Sequence, residues 1–272
     1  MPDRALLKQE AKGILRGASV SPYLFTLVVL VISFVIGRVS DYVQWDTATR
    51  AAYEARLGID LSFLPFCHAP FPGAVTLFVA ILCSLLSVIL SAGVILYHLG
   101  IRRGEARPIE TLFDGFFFAG KIILLYIVMA IFITLWSMLL FFPGIIAAYR
   151  YRFAFLILFD NETMTAREAL NASKRMTVGY KSDLFRLDLS FIWYYVLLAL
   201  PSIASSLALQ GYFTIPDRLA VPIYLAETLY LSVIQILFMP YVATATAHLY
   251  NQVLAEQQGP APEQDPRLSG EF

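Results

Sequence analysis

Six separate stretches of this chain are apolar enough, and long enough or nearly so, to cross a lipid bilayer, and no soluble fold has room for them. A helix rises about 1.5 Å per residue, so roughly 20 mostly apolar residues span about 30 Å of hydrocarbon. Residues 23–39, 74–99, 122–142, 145–159, 184–207 and 221–245 meet or approach that length. The composition agrees: 58% of residues are hydrophobic, 15% are charged and the mean hydropathy is +0.68. Soluble chains carry about 25% charged residues. The expected fold is therefore an all-α membrane bundle of about six transmembrane helices. The first segment reads as a span rather than a cleavable leader. It follows a long region containing Asp3 and Glu10, and no small-residue cleavage site follows Ile36.

Charge placement chooses an orientation. Cytoplasmic loops concentrate lysine and arginine. With six spans and the N-terminus inside, the inner segments hold Arg4, Lys8, Lys12, Arg16, Arg102, Arg103, Arg107, Lys121, Arg167, Lys174, Arg175, Lys181, Arg186 and Arg267. The outer loops hold Arg38, Arg50, Arg56 and Arg218, and Arg150 and Arg152 fall within the fourth span. Of 20 basic residues, 14 are inside and 4 outside, which places both termini in the cytoplasm. Removing the fourth span would put the basic loop that follows it outside. The net charge is zero, so a nucleic-acid partner is not expected.

Each odd-numbered span is preceded on the inner side by a short amphipathic stretch. Arg4, Lys8, Lys12 and Arg16 recur every four residues beside Leu7, Ala11, Ile14 and Leu15 in a helix that Asp3 can cap and that ends near Gly17. Leu112, Phe113, Phe116 and Phe117 share a face after Pro108. Thr165 and Glu168 have capping-box spacing, with Gly179 as a stop. Such helices lie in the headgroup layer with their basic residues near lipid phosphates. The expected partners are therefore membrane lipids, then membrane proteins or a second copy of the chain. The longest outer loop, 40–73, is aromatic- and proline-rich toward Phe63-Leu64-Pro65-Phe66, and residues 257–272 read as a disordered tail.

Several stretches together resemble a known family. They are Arg4-Ala5-Leu6-Leu7-Lys8 with Arg16-Gly17, and Arg103-Gly104-Glu105 with Pro108 and Leu112-Phe113-Asp114-Gly115-Phe116. The most specific is Phe142-Pro143-Gly144-Ile145-Ile146 with Tyr149-Arg150-Tyr151 and Asp160-Asn161. Glu168-Ala169-Leu170, Ser173, Gly179 and Leu187-Asp188-Leu189-Ser190-Phe191-Ile192 follow. The pattern, up to about Leu200, resembles the domain-of-unknown-function 975 family of bacterial integral membrane proteins. More loosely, it is similar to the membrane domain of some glycerophosphodiester phosphodiesterases. The resemblance implies a multi-pass protein of the bacterial plasma membrane and transfers no site residue.

The intramembrane charges are the candidate site. An arginine at a span centre costs about 2.5–3.5 kcal/mol, so Arg150 and Arg152 together cost about 5–7, against about 4 returned by the apolar residues of that short span. They must lock the bundle through partners or line a polar cavity. Glu227, at a similar estimated depth from the outer side, is the expected ion partner of one of them. Asp188, near the inner end of the fifth span, is expected to pair with Arg186 or Lys181, or else to act as a proton-relay carboxylate. Ala80, Ser84, Ser87 and Ser91, and likewise Ala243 and Ala247, read as packing faces. Pro143-Gly144 reads as the outer turn, with a break in a discontinuous helix as the alternative.

No chemistry-bearing motif is present: there is no HExxH, no GxSxG and no glycine loop for phosphate. His68, His98 and His248 lack metal-ligand spacing, and Cys67 and Cys83 are not expected to bridge. No cofactor or metal is expected. The reading adopted is a non-catalytic membrane protein that organises lipids or partner proteins. A transporter or channel with a polar cavity at Arg150, Arg152 and Glu227 is the alternative, and an intramembrane enzyme comes third.

Overall fold

The computed structural model describes residues 4–44, 47–57, 71–161, 163–209 and 217–258. Asp3, Cys67, the Phe63–Phe66 stretch and residues 259–272 of the tail lie outside them. Among the described residues there is no strand. The helices are α1 (Arg4–Gly17), α2 (Pro22–Gln44), α3 (Thr47–Leu57), α4 (Gly73–Arg102), a 3-10 helix (Ile109–Phe118), α5 (Ala119–Leu139), α6 (Phe141–Arg150), α7 (Ala154–Asp160), α8 (Ala166–Met176), α9 (Lys181–Leu189), α10 (Ile192–Leu209) and α11 (Asp217–Gln258). Five of the helical segments are long and apolar enough to cross a membrane, and α9 with α10, bent by 57°, make six if that pair is one span. The protein is an all-α membrane protein.

The register of α4 against α11 shows how the spans are threaded. His98 Nδ1 lies 2.9 Å from Thr244 Oγ1, and one turn on, Arg102 Nε donates to His248 Nδ1 at 2.5 Å. Both contacts advance by four residues in the same sense, so α4 and α11 run parallel. Parallel spans have an odd number of crossings between them. That requirement is met when α5, α6–α7 and α9–α10 each cross, which makes three.

Packing is concentrated at one end of the bundle. The buried residues of α4 run from Ile89 to Ile101. One core cluster joins Leu7 and Ala11 of α1 to Ile157, Leu170, Leu184, Leu187, Leu249 and Val253. A second joins Leu15, Phe25, Val94, Tyr97 and Leu112. Phe78, Leu135 and Leu229 are 65%, 58% and 67% exposed, a surface that requires hydrocarbon around it.

Two glycines make the closest backbone approach. A Cβ on Gly93 would stand 2.1 Å from the Leu112 carbonyl oxygen, and one on Gly115 would stand 2.5 Å from that of Ile89. The 3-10 helix therefore buries Thr111, Leu112 and Gly115 against α4 and turns Phe113, Phe116 and Phe117 outward. Leu112 is thus parted from Phe113, Phe116 and Phe117, with which the sequence placed it on one face, because backbone contact here needs small residues. The serines of α4 also differ from expectation. Ser84, Ser87 and Ser91 are exposed, and Ser87 and Ser91 donate to Cys83 and Ser87 carbonyls of their own helix.

The outer turn between α5 and α6 falls at Leu140, which is extended at φ −159° and ψ 144°. Pro143 and Gly144 lie inside α6 rather than forming that turn. A proline in a first helical turn gives up no hydrogen bond. Gly144 lets α6 touch α5, since a Cβ there would come within 2.9 Å of the Ser137 Cα.

The helical runs α6–α7 and α9–α10 are both broken, and a side chain from an amphipathic helix caps each break. At residues 151–153 the Ala154 amide turns to the Tyr151 carbonyl, and the freed Arg150 carbonyl accepts the Ser173 hydroxyl of α8 at 2.9 Å. At the α9–α10 bend the Tyr194 amide turns to the Phe191 carbonyl, and the freed Ser190 carbonyl accepts the Lys8 ammonium of α1 at 3.0 Å. An uncapped carbonyl in a low-dielectric interior costs about 1–3 kcal/mol. The amphipathic inner helices thus hold the breaks in place.

A polar cavity between the broken spans

Arg152 sits in the first break and Asp188 near the end of α9, which brings the two together. Arg152 Nη2 meets Asp188 Oδ1 at 3.1 Å, and the Tyr149 hydroxyl donates to Asp188 Oδ2 at 3.0 Å. Both carboxylate oxygens are therefore engaged. Tyr195 lies within electrostatic reach of both charges. Glu227 is not the partner, and among the described residues it forms no ion pair. It lies 12 residues before Met239, the α11 residue that lines the same cavity as Arg152, or about 18 Å along the helix axis. Arg152 lies in the break that follows Arg150, and there Asp188 meets it instead. Arg186 pairs instead with Asp183 at 3.8 Å. Arg150 contributes its carbonyl to the break, and among the described residues its guanidinium has no ion pair.

Beside Arg152 is a cavity of about 510 Å³, lined mostly by apolar side chains that include Val94, Met129, Phe155 and Val242. Its polar lining includes Arg152, His98, Thr246 and Tyr195, and both Ala243 and Ala247 contribute to its wall. His98 is 1% exposed, and among the described residues its Nε2 has no hydrogen-bond partner. Nothing in the residue pattern singled out His98. Its only signal was a histidine one turn before Arg102 on an otherwise apolar helix.

A second polar layer closes the inner end. Arg102 donates to His248 Nδ1, so the proton of a neutral His248 ring is on Nε2, which meets Glu10 of α1 at 2.5 Å. Asp160 accepts from Arg103 at 2.6 Å and from the Tyr250 hydroxyl at 2.5 Å. Tyr180 donates to Glu256 at 2.5 Å, a bond that raises the Tyr180 pKa, with some help from burial. The capping box of α8 forms as its spacing predicts. The Thr165 amide and then its hydroxyl hold the Glu168 carboxyl below its usual range.

The basic stripe of α1 does not stand free of the protein. Lys8 reaches the Ser190 carbonyl and lies 4.6 Å from the centre of the Phe191 ring. Lys12 is exposed and lies 5.7 Å from the Tyr241 ring, and Arg16 is exposed. The side chain of Arg4 lies outside the described residues. No group of three or more His, Cys, Asp or Glu side chains able to hold a metal ion occurs among the described residues.

No curated protein and no solved structure matches the chain. One family model does, over residues 138–257, which carry α6 to α11 and the Arg152–Asp188 pair. The N-terminal stretches of the resemblance, including α1 and the Arg103-Gly104-Glu105 loop, lie before that segment. That family is described as protein of unknown function (DUF975), and residues 138–257 of the chain are similar to it.

Proposed function

We propose that this is a non-catalytic, multi-pass protein of the bacterial plasma membrane, with both termini cytoplasmic, that organises lipid by housing part of a lipid molecule. The cavity carries the reading. At about 510 Å³ it has the size of natural ligand sites, and its mostly apolar wall with a few convergent polar groups has their character. Exposed Lys12 and Arg16 on the inner side are placed for anionic headgroups.

The test is lipid analysis of protein purified in a neutral detergent. Wild-type protein is expected to retain lipid through purification, and Ala243→Phe, which fills the cavity, is expected to lose it. Wild-type protein that carries no lipid in native mass spectrometry would refute the reading. Carriage of a solute or lipid across the membrane is the second reading, favoured by one observation: both breaks, at Arg152 and at the α9–α10 bend, lie next to the cavity-lining residues Tyr151 and Tyr194. It requires that Ala243→Phe also abolish lipid scrambling or solute flux in reconstituted vesicles.

A further inference from the structure

We propose that the cavity is a site for the anionic headgroup of an amphiphile, with Arg152 as the anion's partner and His98 Nε2 as a second hydrogen-bond partner. This inference rests on the lipid-housing reading and adds the chemistry of the ligand. Among the cavity's lining residues, Arg152 is the one with a permanent charge. Its guanidinium has five N–H groups and no acceptor. One nitrogen is held by Asp188, whose other oxygen is held by Tyr149. Asp188 and Tyr149 anchor the cation without exhausting its donors, and neither Asp188 nor any other carboxylate lines the cavity to repel an anion.

His98 supplies the independent observation. It is fully buried, lines the same cavity and keeps Nε2 unpartnered while Nδ1 faces Thr244. Buried polar groups in native structures are nearly always satisfied, so an orphan beside a cavity marks the place of a missing partner. If the ring proton is on Nε2, that nitrogen donates to an anionic or hydroxyl oxygen. If it is on Nδ1, Nε2 accepts from a hydroxyl. A phosphate-bearing headgroup with a free hydroxyl answers either tautomer. The volume holds a headgroup and the first part of a chain, with the rest of the chain lying along the exposed apolar helix faces.

The test uses the full chain in maltoside detergent, titrated with lysophosphatidylglycerol, lysophosphatidylcholine or inorganic phosphate, and read by thermal stability and native mass spectrometry. Lysophosphatidylglycerol is expected to stabilise the protein and bind tighter than lysophosphatidylcholine. Binding of phosphate alone, with full competition against the lipid, would assign the same anion site to a free anion instead. The double variant Arg152→Gln/Asp188→Asn removes the cation without leaving a lone carboxylate, and should weaken lysophosphatidylglycerol binding by at least about tenfold, as expected for loss of a charge-assisted contact. His98→Leu should raise the melting temperature of the ligand-free protein by removing the orphan while weakening binding, two changes of opposite sign that a packing role would not produce. Equal binding of the two lysolipids, or unchanged binding in both variants, overturns the headgroup assignment. Lipid retained by wild type and lost in Ala243→Phe would then still stand for the cavity as a lipid site.

Discussion

Replacing Gly93 by alanine tests the closest contact in the fold. The added Cβ would lie 2.1 Å from the Leu112 carbonyl oxygen, 2.6 Å from its carbon and 2.8 Å from its Cα. Ordinary contact begins at 3.4 Å, and the obstacle is backbone, so no rotamer change relieves it. The 3-10 helix must retreat from α4 by the difference, about 1.3 Å, a gap in which packed atoms lose much of their dispersion energy. That retreat loosens Leu112 and Thr111, which are 0% and 2% exposed. Overpacking of this kind costs about 1–3 kcal/mol. Alanine's helix propensity returns up to about 1 kcal/mol. The expected net loss is about 1 kcal/mol from these two contributions. For a chain of this size that lowers Tm by about 3 °C. Fluorescence-detected size exclusion after heating in detergent measures it. Gly37→Ala is the control, since nothing lies within 4 Å of its Cβ position, and its Tm should stay level or rise. A Gly93→Ala protein as stable as Gly37→Ala would refute the backbone contact.

Four further outcomes are expected. Ser173→Ala should lower stability by about 1 kcal/mol, because the Arg150 carbonyl then keeps only the longer Thr177 contact at 3.4 Å; the same heating assay reads it. Asp188→Asn should destabilise more than Asp188→Asn/Arg152→Gln, and a double-mutant cycle should give a coupling of about 1–2 kcal/mol, below that of a fully buried pair because the side chains are 21% and 34% exposed. The Glu168 cap, whose carboxyl pKa is lowered in the folded state, should stabilise α8 fully above the ordinary carboxylate range. It should be lost as pH falls through the lowered value. Amide exchange in α8, corrected for intrinsic rates, should therefore quicken at acid pH in wild type and be less pH-sensitive in Glu168→Ala. With Cys83→Ser as background, native Cys67 should react with an impermeant thiol reagent from outside. With Cys67 also removed, Ser182→Cys should react only after the membrane is opened, and labelling of Ser182→Cys from outside would reverse the charge-based orientation.

Membrane residence, the all-α class and the amphipathic helices were legible in the sequence because each depends on local pattern: run length, apolar periodicity, and capping residues at fixed spacing. The Thr165–Glu168 box is the clearest case, since three residues of separation dictate the bond whatever surrounds them. The site was legible only by residue type. Arg152 and Asp188 stood out as costly charges in apolar segments, but their pairing depends on where a helix breaks. That break is fixed by Ser173, supplied from another helix, so the sequence pointed to Glu227 instead. His98 was invisible for a related reason. A histidine on an apolar helix carries no marker of its own. Only the packing of α4 against α11 and α7 decides that one of its nitrogens meets Thr244 and that the other, among the described residues, has no partner beside an open cavity.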